Sequence, residues 1–339
     1  MIVLYIMVFI ILILLLLSKL ILNSAFGKRC EGNPKLKYFT ADDFEGLIAK
    51  PIEFKSNKGQ LLRGNIYTNK HIKEYKGLII FVHGMGGGHL SYTTEINTFA
   101  KAGFIVMAYD NTGTCSSEGK NLKGFYQAVI DLNYALKFVE KNSELNKYSI
   151  KLVGHSWGAY TVCQALQDKH NIKAVVAMAT PNNVSKLICD NAKKETNINF
   201  SILSPFITIV NFLTFGKKGI KDTAQILKNT IVPVLLLHGD LDLPVPLKNS
   251  PISSEKIKGK ENIKSIVYKE GYHNIYQTKE SAEYLNSFFE KLIRLNKEYK
   301  GKPPEDKLDD IYNNSDYKKM TEEDETVMNT IIRFVEENK

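Results

Sequence analysis

The chain has 339 residues, of which 44% are hydrophobic and 24% charged, a composition that excludes an intrinsically disordered protein and fits one large α/β domain or two smaller ones. Its net charge of +9 is carried by scattered lysines without Arg-rich tracts or interleaved aromatics, so no nucleic-acid surface is expected. Cys30, Cys115, Cys163 and Cys189 have neither metal-ligand spacing nor a small-domain disulfide pattern, which points to reduced thiols and no metal.

Met1 to Leu17 is an unbroken apolar run that resumes after Ser18 and Lys19 with Leu20, Ile21 and Leu22, long enough to cross a bilayer. Nothing basic precedes it and Asn23-Ser24-Ala25 is a poor cleavage site, so residues 1–22 are expected to be a retained transmembrane anchor rather than a cleaved signal peptide. Lys19, Lys28, Arg29, Lys35 and Lys37 lie on the carboxyl side. The positive-inside rule therefore places the remaining chain in the cytoplasm, and the same charges suit anionic headgroups. Residues 23–50, with Gly27, Gly32, Asn33 and Pro34, read as a juxtamembrane tether.

A domain over residues 51–300 follows. Pro51–Lys55 and Gln60–Tyr67 flank Asn57-Lys58-Gly59, a predicted antiparallel hairpin. Leu78–Val82 is an uninterrupted apolar strand that ends in His83-Gly84-Met85-Gly86-Gly87-Gly88-His89. This glycine cluster lacks the Gly-Lys-Ser/Thr ending of a P-loop and the spacing of a dinucleotide fingerprint, so no nucleotide cofactor is expected. At the carboxyl end of a strand, its backbone is able to aim an N–H, that of Met85, at an oxyanion; an ordinary glycine-rich loop is the alternative. Tyr92–Ala102 is a predicted helix and Phe104–Tyr109 a strand that leads into the polar loop Asp110–Gly119. Phe125–Glu140 carries the apolar spacing of an amphipathic helix.

Ser149 to Gly158 reads S-I-K-L-V-G-H-S-W-G, a buried strand running into a tight turn, and Ala159–Leu166 continues as a helix. A serine on such an elbow is forced outward, and the following helix offers N–H groups and the positive end of a dipole to a nearby oxyanion. Ser156 is the candidate nucleophile, with the Trp157 N–H as a second oxyanion donor; a serine that merely caps a helix is the bland alternative. Ser116, Ser117 and Cys115 do not sit on an elbow, so Cys115 reads as a packed thiol.

Ile172–Ala179 is another strand, after which the alternation of strand and helix stops at Pro181. Residues 181–229 are expected to form a cap. Within them Phe200–Gly216 is uncharged and apolar, interrupted by Pro205 and short for a span, and suited to shielding an acyl chain; a packed helical insertion fits as well. Val234–Leu237 resumes the pattern and ends in His238-Gly239-Asp240-Leu241-Asp242. Ile263–Tyr268 is the last strand, followed by Glu270-Gly271-Tyr272-His273-Asn274 and a helix over Lys279–Leu295. Residues 301–339 read as a helical extension, with Thr321–Glu337 packing on the outside.

Serine hydrolysis needs a base for the hydroxyl proton and a carboxylate to hold that base in the right tautomer. Ser156, Asp242 and His273 occur in that order, each in a loop at the carboxyl end of a strand, where open parallel sheets place their sites. Over Pro51 to Leu295, through G-H-S-W-G, H-G-M-G, H-G-D-x-D-x-x-V-P and G-Y-H, the chain resembles the α/β-hydrolases, in particular the monoacylglycerol-lipase-like and serine-aminopeptidase-like branch. The resemblance implies an α/β-hydrolase fold, a mostly parallel sheet with helices on both faces and a helical cap. It implies Ser156 as nucleophile, His273 as base and Asp242 as acid, with Asp240 in reserve and Met85 and Trp157 as oxyanion donors. Cys115 departs from the pattern, since the loop usually has glycine there. The expected activity is cleavage of carboxylic esters, monoacylglycerol- or lysolipid-like, at a membrane and without a cofactor. Aminopeptidase chemistry on short peptides and a non-catalytic binding scaffold are the alternatives.

Overall fold

Leu47–Lys55 (β1) and Leu61–Asn69 (β2) mix exposed and buried positions and pair antiparallel. At their turn Gly59 N–H donates to Ser56 O at 3.0 Å and Ser56 N–H to Gln60 O at 2.9 Å. β1 starts at Leu47 rather than Pro51, and it accommodates Pro51 because it is the edge strand of the sheet. Leu78–Val82 (β3), Ile105–Tyr109 (β4), Ile150–His155 (β5), Ile172–Met178 (β6) and Val234–Gly239 (β7) are buried almost throughout, as strands covered on both faces must be. Ile263–Tyr268 (β8) closes the far edge. The computed structural model describes residues 1–339 and orders the strands β1-β2-β4-β3-β5-β6-β7-β8. All pairings from β4 across to β8 are parallel. The chain leaves β3 towards β4 on one side and leaves β5 towards β6 on the other. The crevice at the carboxyl ends of β3 and β5 is therefore the topological switch point where such sheets bind ligands.

Ile2–Phe26 (α1) is one continuous helix that extends past residue 22 and buries Phe26 in the domain. The segment after it is not free. The Arg29 guanidinium donates to Cys115 O at 2.9 Å, Ser117 O at 2.9 Å and Gly119 O at 2.7 Å, and Cys30 forms a parallel bridge with Thr114. Lys35 pairs with Glu305 and Asp309. Residues 27–46 are thus strapped along the domain, and Arg29 and Lys35, expected to face headgroups, are committed to protein partners.

Thr93–Lys101 (α2) covers one face of the sheet; Phe125–Lys141 (α3) and Trp157–Gln164 (α4) cover the other. Within residues 181–229 the chain forms Val184–Thr196 (α5), Ser204–Phe215 (α6) and Thr223–Asn229 (α7). Beyond β8 come Lys279–Glu298 (α8), Glu305–Asn313 (α9), Tyr317–Met320 (α10) and Glu325–Glu337 (α11).

The expected closing helix, α8, buries only Ser281, Ala282 and Phe288. α11 does its work instead. Val327, Met328, Ile331 and Val335 pack with Ile79, Val106 and Leu235 in the core beside α2, so residues 321–337 form a layer of the domain rather than an outer appendage. The reason is that α8 spends its apolar stripe on α9 and α10, around Phe288, Tyr312 and Met320, and leaves the sheet face open. The tail also meets the loop after β8: Asp324 N–H donates to Tyr276 O at 2.9 Å and Thr278 N–H to Glu322 O at 3.0 Å.

Where α2 meets the tail, two carboxyls are buried. Burial, reinforced by the neighbouring Glu323, raises Glu95 well above the usual range, and burial raises Glu323 to about 7. A raised carboxyl pKa means that the folded chain holds a proton which the unfolded chain releases near pH 4.5. Stability is therefore expected to fall as pH rises from that value through 7. Glu323→Gln should flatten this slope and stabilise the protein at pH 8 by about 2 kcal/mol. Urea denaturation of both forms at pH 5 and pH 8 checks it; parallel slopes would remove Glu323 as the source.

Candidate active site

Ser156 ends β5 with φ 55° and ψ −114°, a strained conformation for a residue with a Cβ. Its N–H donates to Met178 O at 2.8 Å and its carbonyl accepts from Tyr160 N–H at 3.0 Å, so the turn is held from both neighbouring elements. Gly158 is required by contact, because a Cβ there would lie 1.9 Å from Val82 O. That closeness lets α4 start directly above β3. The half-buried Ser156 hydroxyl makes no hydrogen bond within the chain.

His273, in the loop after β8, turns its Nδ1 onto Asp242, 2.9 Å from both carboxylate oxygens. Nδ1 must carry the proton, which leaves the Nε2 lone pair free. Asp242 is fully enclosed and also accepts from Val245 N–H at 2.8 Å, with His238 Nε2 at 3.3 Å. Burial alone would raise its carboxyl; the hydrogen bonds from His238, His273 and Val245 outweigh that and hold it well below the usual range. Asp240 is exposed and its side chain touches neither histidine, so the reserve acid is not brought to the site.

His155 stands behind this pair. Its Nε2 lies 3.1 Å from His273 O, so it donates there, and its Nδ1 accepts from the Tyr92 hydroxyl at 2.9 Å. The same hydroxyl accepts from Gly84 N–H at 3.0 Å. Burial, with the His273 ring 4.7 Å away, pulls His155 down to about 3, which keeps it neutral. The glycine loop, the elbow and the His273 backbone are thereby joined by one run of hydrogen bonds. Tyr92 and His238 were not singled out in the sequence. His238 was legible only as a strand-end histidine, and nothing marked Tyr92.

Met85 and Trp157 sit at the facing ends of β3 and β5, whose register pairs Val82 with Gly154. Neither N–H has a partner within the chain. The Trp157 ring is buried and donates to Phe125 O at 2.9 Å. Buried His83 donates from Nδ1 to Gly84 O at 2.6 Å and accepts from Asn111 N–H at 3.0 Å, fixing the start of the glycine loop.

The loop after β4 is held rather than reactive. Asp110 accepts from His89 Nδ1 at 2.8 Å and from the Ser116 hydroxyl at 2.6 Å, and the Ser117 hydroxyl donates to Asp110 O at 2.5 Å. Both serines are occupied. Cys115 has φ 36°, a left-handed conformation that glycine adopts without strain. A Cβ on Gly88 would meet its sulfur at 2.8 Å. Burial pushes the Cys115 thiol up to about 12, as befits a packed thiol.

An eight-stranded, mostly parallel sheet with a serine on the turn after β5, and an Asp–His pair beyond β7 and β8, is the arrangement of the α/β-hydrolase fold. Residues 73–207 match the serine aminopeptidase S33 family of hydrolases. A Pyrococcus furiosus esterase superposes with TM-score 0.57 at 19% identity, over 73% of this chain and 91% of its own. Est1E from Butyrivibrio proteoclasticus, with ferulic acid bound, gives TM-score 0.51 at 19% identity, over 66% and 90%. An acylaminoacyl peptidase from Pyrococcus horikoshii gives TM-score 0.51 at 19% identity, over 69% of this chain but 39% of its own. No curated protein matches the chain in sequence. The chain thus has the α/β-hydrolase fold, and its family match over residues 73–207 together with its structural neighbours supports a serine hydrolase.

Proposed function

We propose that the protein is a membrane-anchored esterase that cleaves carboxylic esters through an acyl-enzyme. Residues 1–22 are the anchor, residues 181–229 the cap, and the domain lies on the cytoplasmic side. The observation that carries the reading is the enclosed Asp242 carboxylate on His273 Nδ1, which leaves Nε2 free as a base on the sheet edge that also carries Ser156 in its strained turn. Ser156 Oγ attacks the acyl carbon as its proton passes to His273 Nε2. The oxyanion is met by the Met85 and Trp157 N–H groups. The tetrahedral species collapses, the alcohol leaves with the proton from Nε2, and a water activated by the same nitrogen releases the acid and restores Ser156. Reactant hydrogen bonds of this kind tighten when substrate binds.

The apolar surroundings of Trp157, made by Leu122, Tyr126, Tyr160, Leu203 and Ile207, favour an acyl chain and support esters of monoacylglycerol or lysolipid type. The name of the matched family keeps aminopeptidase chemistry as the second reading. A fluorophosphonate probe is expected to label the wild type and not Ser156→Ala; labelling that survives the substitution removes Ser156 from the mechanism. In a panel of p-nitrophenyl esters of graded length and aminoacyl amides, the esters should turn over and the amides should not. The reverse pattern favours the peptidase.

A further inference from the structure

Leu14, Leu15, Ser18, Ile21, Leu22 and Phe26 form one stripe on α1 and are partly or wholly buried, where the helix lies against α6 and the turn before it. Only Ile2–Ile13 is exposed throughout, about 18 Å of helix at about 1.5 Å per residue. A bilayer core is about 30 Å thick and takes about 20 residues to cross. A span made by α1 must therefore include residues that α6 already covers, and α6 is carried to the same depth.

α6 is built for that position. No charged residue lies between Asn197 and Gly216, and Ile198, Ile202, Ile209, Phe212 and Leu213 face outward with exposures from 41% to 74%. Its two threonines are satisfied within the helix, the Thr208 hydroxyl donating to Ser204 O at 3.0 Å and the Thr214 hydroxyl to Val210 O at 2.8 Å, as suits a lipid environment. Pro205 occupies the first turn, where it costs no helical hydrogen bond. Small Ser18 is fully buried in the α1 stripe, in keeping with close helix packing in membranes. Lys28 and Lys217 stand just beyond the ends of α1 and α6 without ion-pair partners, while Arg29 and Lys218 beside them are committed to Glu31 and Asp168. Free lysines at that level suit anionic headgroups.

We propose that α6 and the turn before it are embedded in the lipid bilayer beside α1, so that the Ser156 site opens onto acyl chains and its substrate arrives from within the leaflet. The inference rests on the anchored reading of α1 and adds a second buried element to it. A continuous apolar cluster joins Phe26 of α1, Leu203 and Ile207 at α6, and Ile188 of α5 to Trp157, the neighbour of Ser156.

The test uses the full chain in vesicles of phosphatidylcholine and phosphatidylglycerol with brominated acyl chains. Trp157 is the only native tryptophan, so Leu213→Trp adds one emitter whose signal is the difference from wild type. Bromine is expected to quench that signal several-fold while aqueous iodide leaves it unchanged. Quenching by iodide and not by bromine overturns the proposal, as does protection from both, which would mean that protein covers the face, or failure of the chain to float with vesicles. In a second arm, Phe212→Asp with Leu213→Asp should lower turnover of a vesicle-borne monoacyl ester about tenfold and leave a short soluble ester unaffected; equal turnover of the vesicle-borne ester overturns it. Quenching does not require catalysis. Loss of fluorophosphonate labelling with quenching retained defeats the hydrolase reading and spares the placement of α6; labelling without quenching does the opposite.

Discussion

Asp242→Asn is expected to lower kcat/KM on a soluble ester by about 10³- to 10⁴-fold. The wild-type carboxylate accepts from Val245 N–H on Oδ1 and from His273 Nδ1, 2.9 Å from both oxygens, while His238 Nε2 stands 3.3 Å from Oδ2 and 2.8 Å from Val245 O, to which it donates. An asparagine has one acceptor oxygen to offer. If the oxygen stays on Val245, the amide NH₂ takes the place of Oδ2 at 2.9 Å from His273 Nδ1 and favours the tautomer with hydrogen on His273 Nε2, which is unable to take the Ser156 proton. If the amide turns over, its NH₂ faces the Val245 N–H. Both orientations oppose donor to donor in a site sealed from water, so some stability should be lost as well. Steady-state kinetics, with the rate of fluorophosphonate labelling as a second readout, decides the matter. A variant within tenfold of wild type removes Asp242 from the orienting role.

Gly158→Ala is the second large effect. The added methyl would sit 1.9 Å from Val82 O and 2.9 Å from His83 O, both backbone atoms of the element that α4 packs upon. Neither moves without displacing β3 or the glycine loop, so several kcal/mol of stability and essentially all activity should be lost. Gly59→Ala is the control: it has φ 80° in the β1–β2 turn but no atom within 4 Å of the added methyl, so only the conformational cost of about 1 kcal/mol is expected. Urea denaturation midpoints compare the two. A Gly158→Ala protein as stable as Gly59→Ala would mean that the tight approach of α4 to β3 is not needed.

The central strands were legible because burial on both faces requires unbroken apolar runs, and the elbow because strand, turn and helix followed one another without a gap. Asp242 and His273 were legible as polar residues just past strand ends. What a local pattern does not carry is which distant segment fills an open face. The stripe Val327, Met328, Ile331 and Val335 was visible as amphipathic, but only the turning aside of α8 makes α11 a layer of the core. The same applies to Arg29. As a residue after an apolar run it reads as a headgroup contact, and only the course of the loop after β4 brings three carbonyls within its reach. Tyr92 acts through His155, far along the chain, and had no local signature, whereas His238 was legible as a strand-end histidine but not as the neighbour of Asp242 and Val245.

The place of α11 sets the order in which the molecule is made. Every strand of the sheet leaves the ribosome before Val327 to Val335 exist, so the face of β6 with Val176 and Met178 waits uncovered on that side while α1 is already free to insert. Folding of this domain is thus completed only after residues 325–337 have been synthesised. Nascent polypeptides stalled before Glu325 should be protease-sensitive and held by chaperones, and extension through α11 should convert them into a resistant domain.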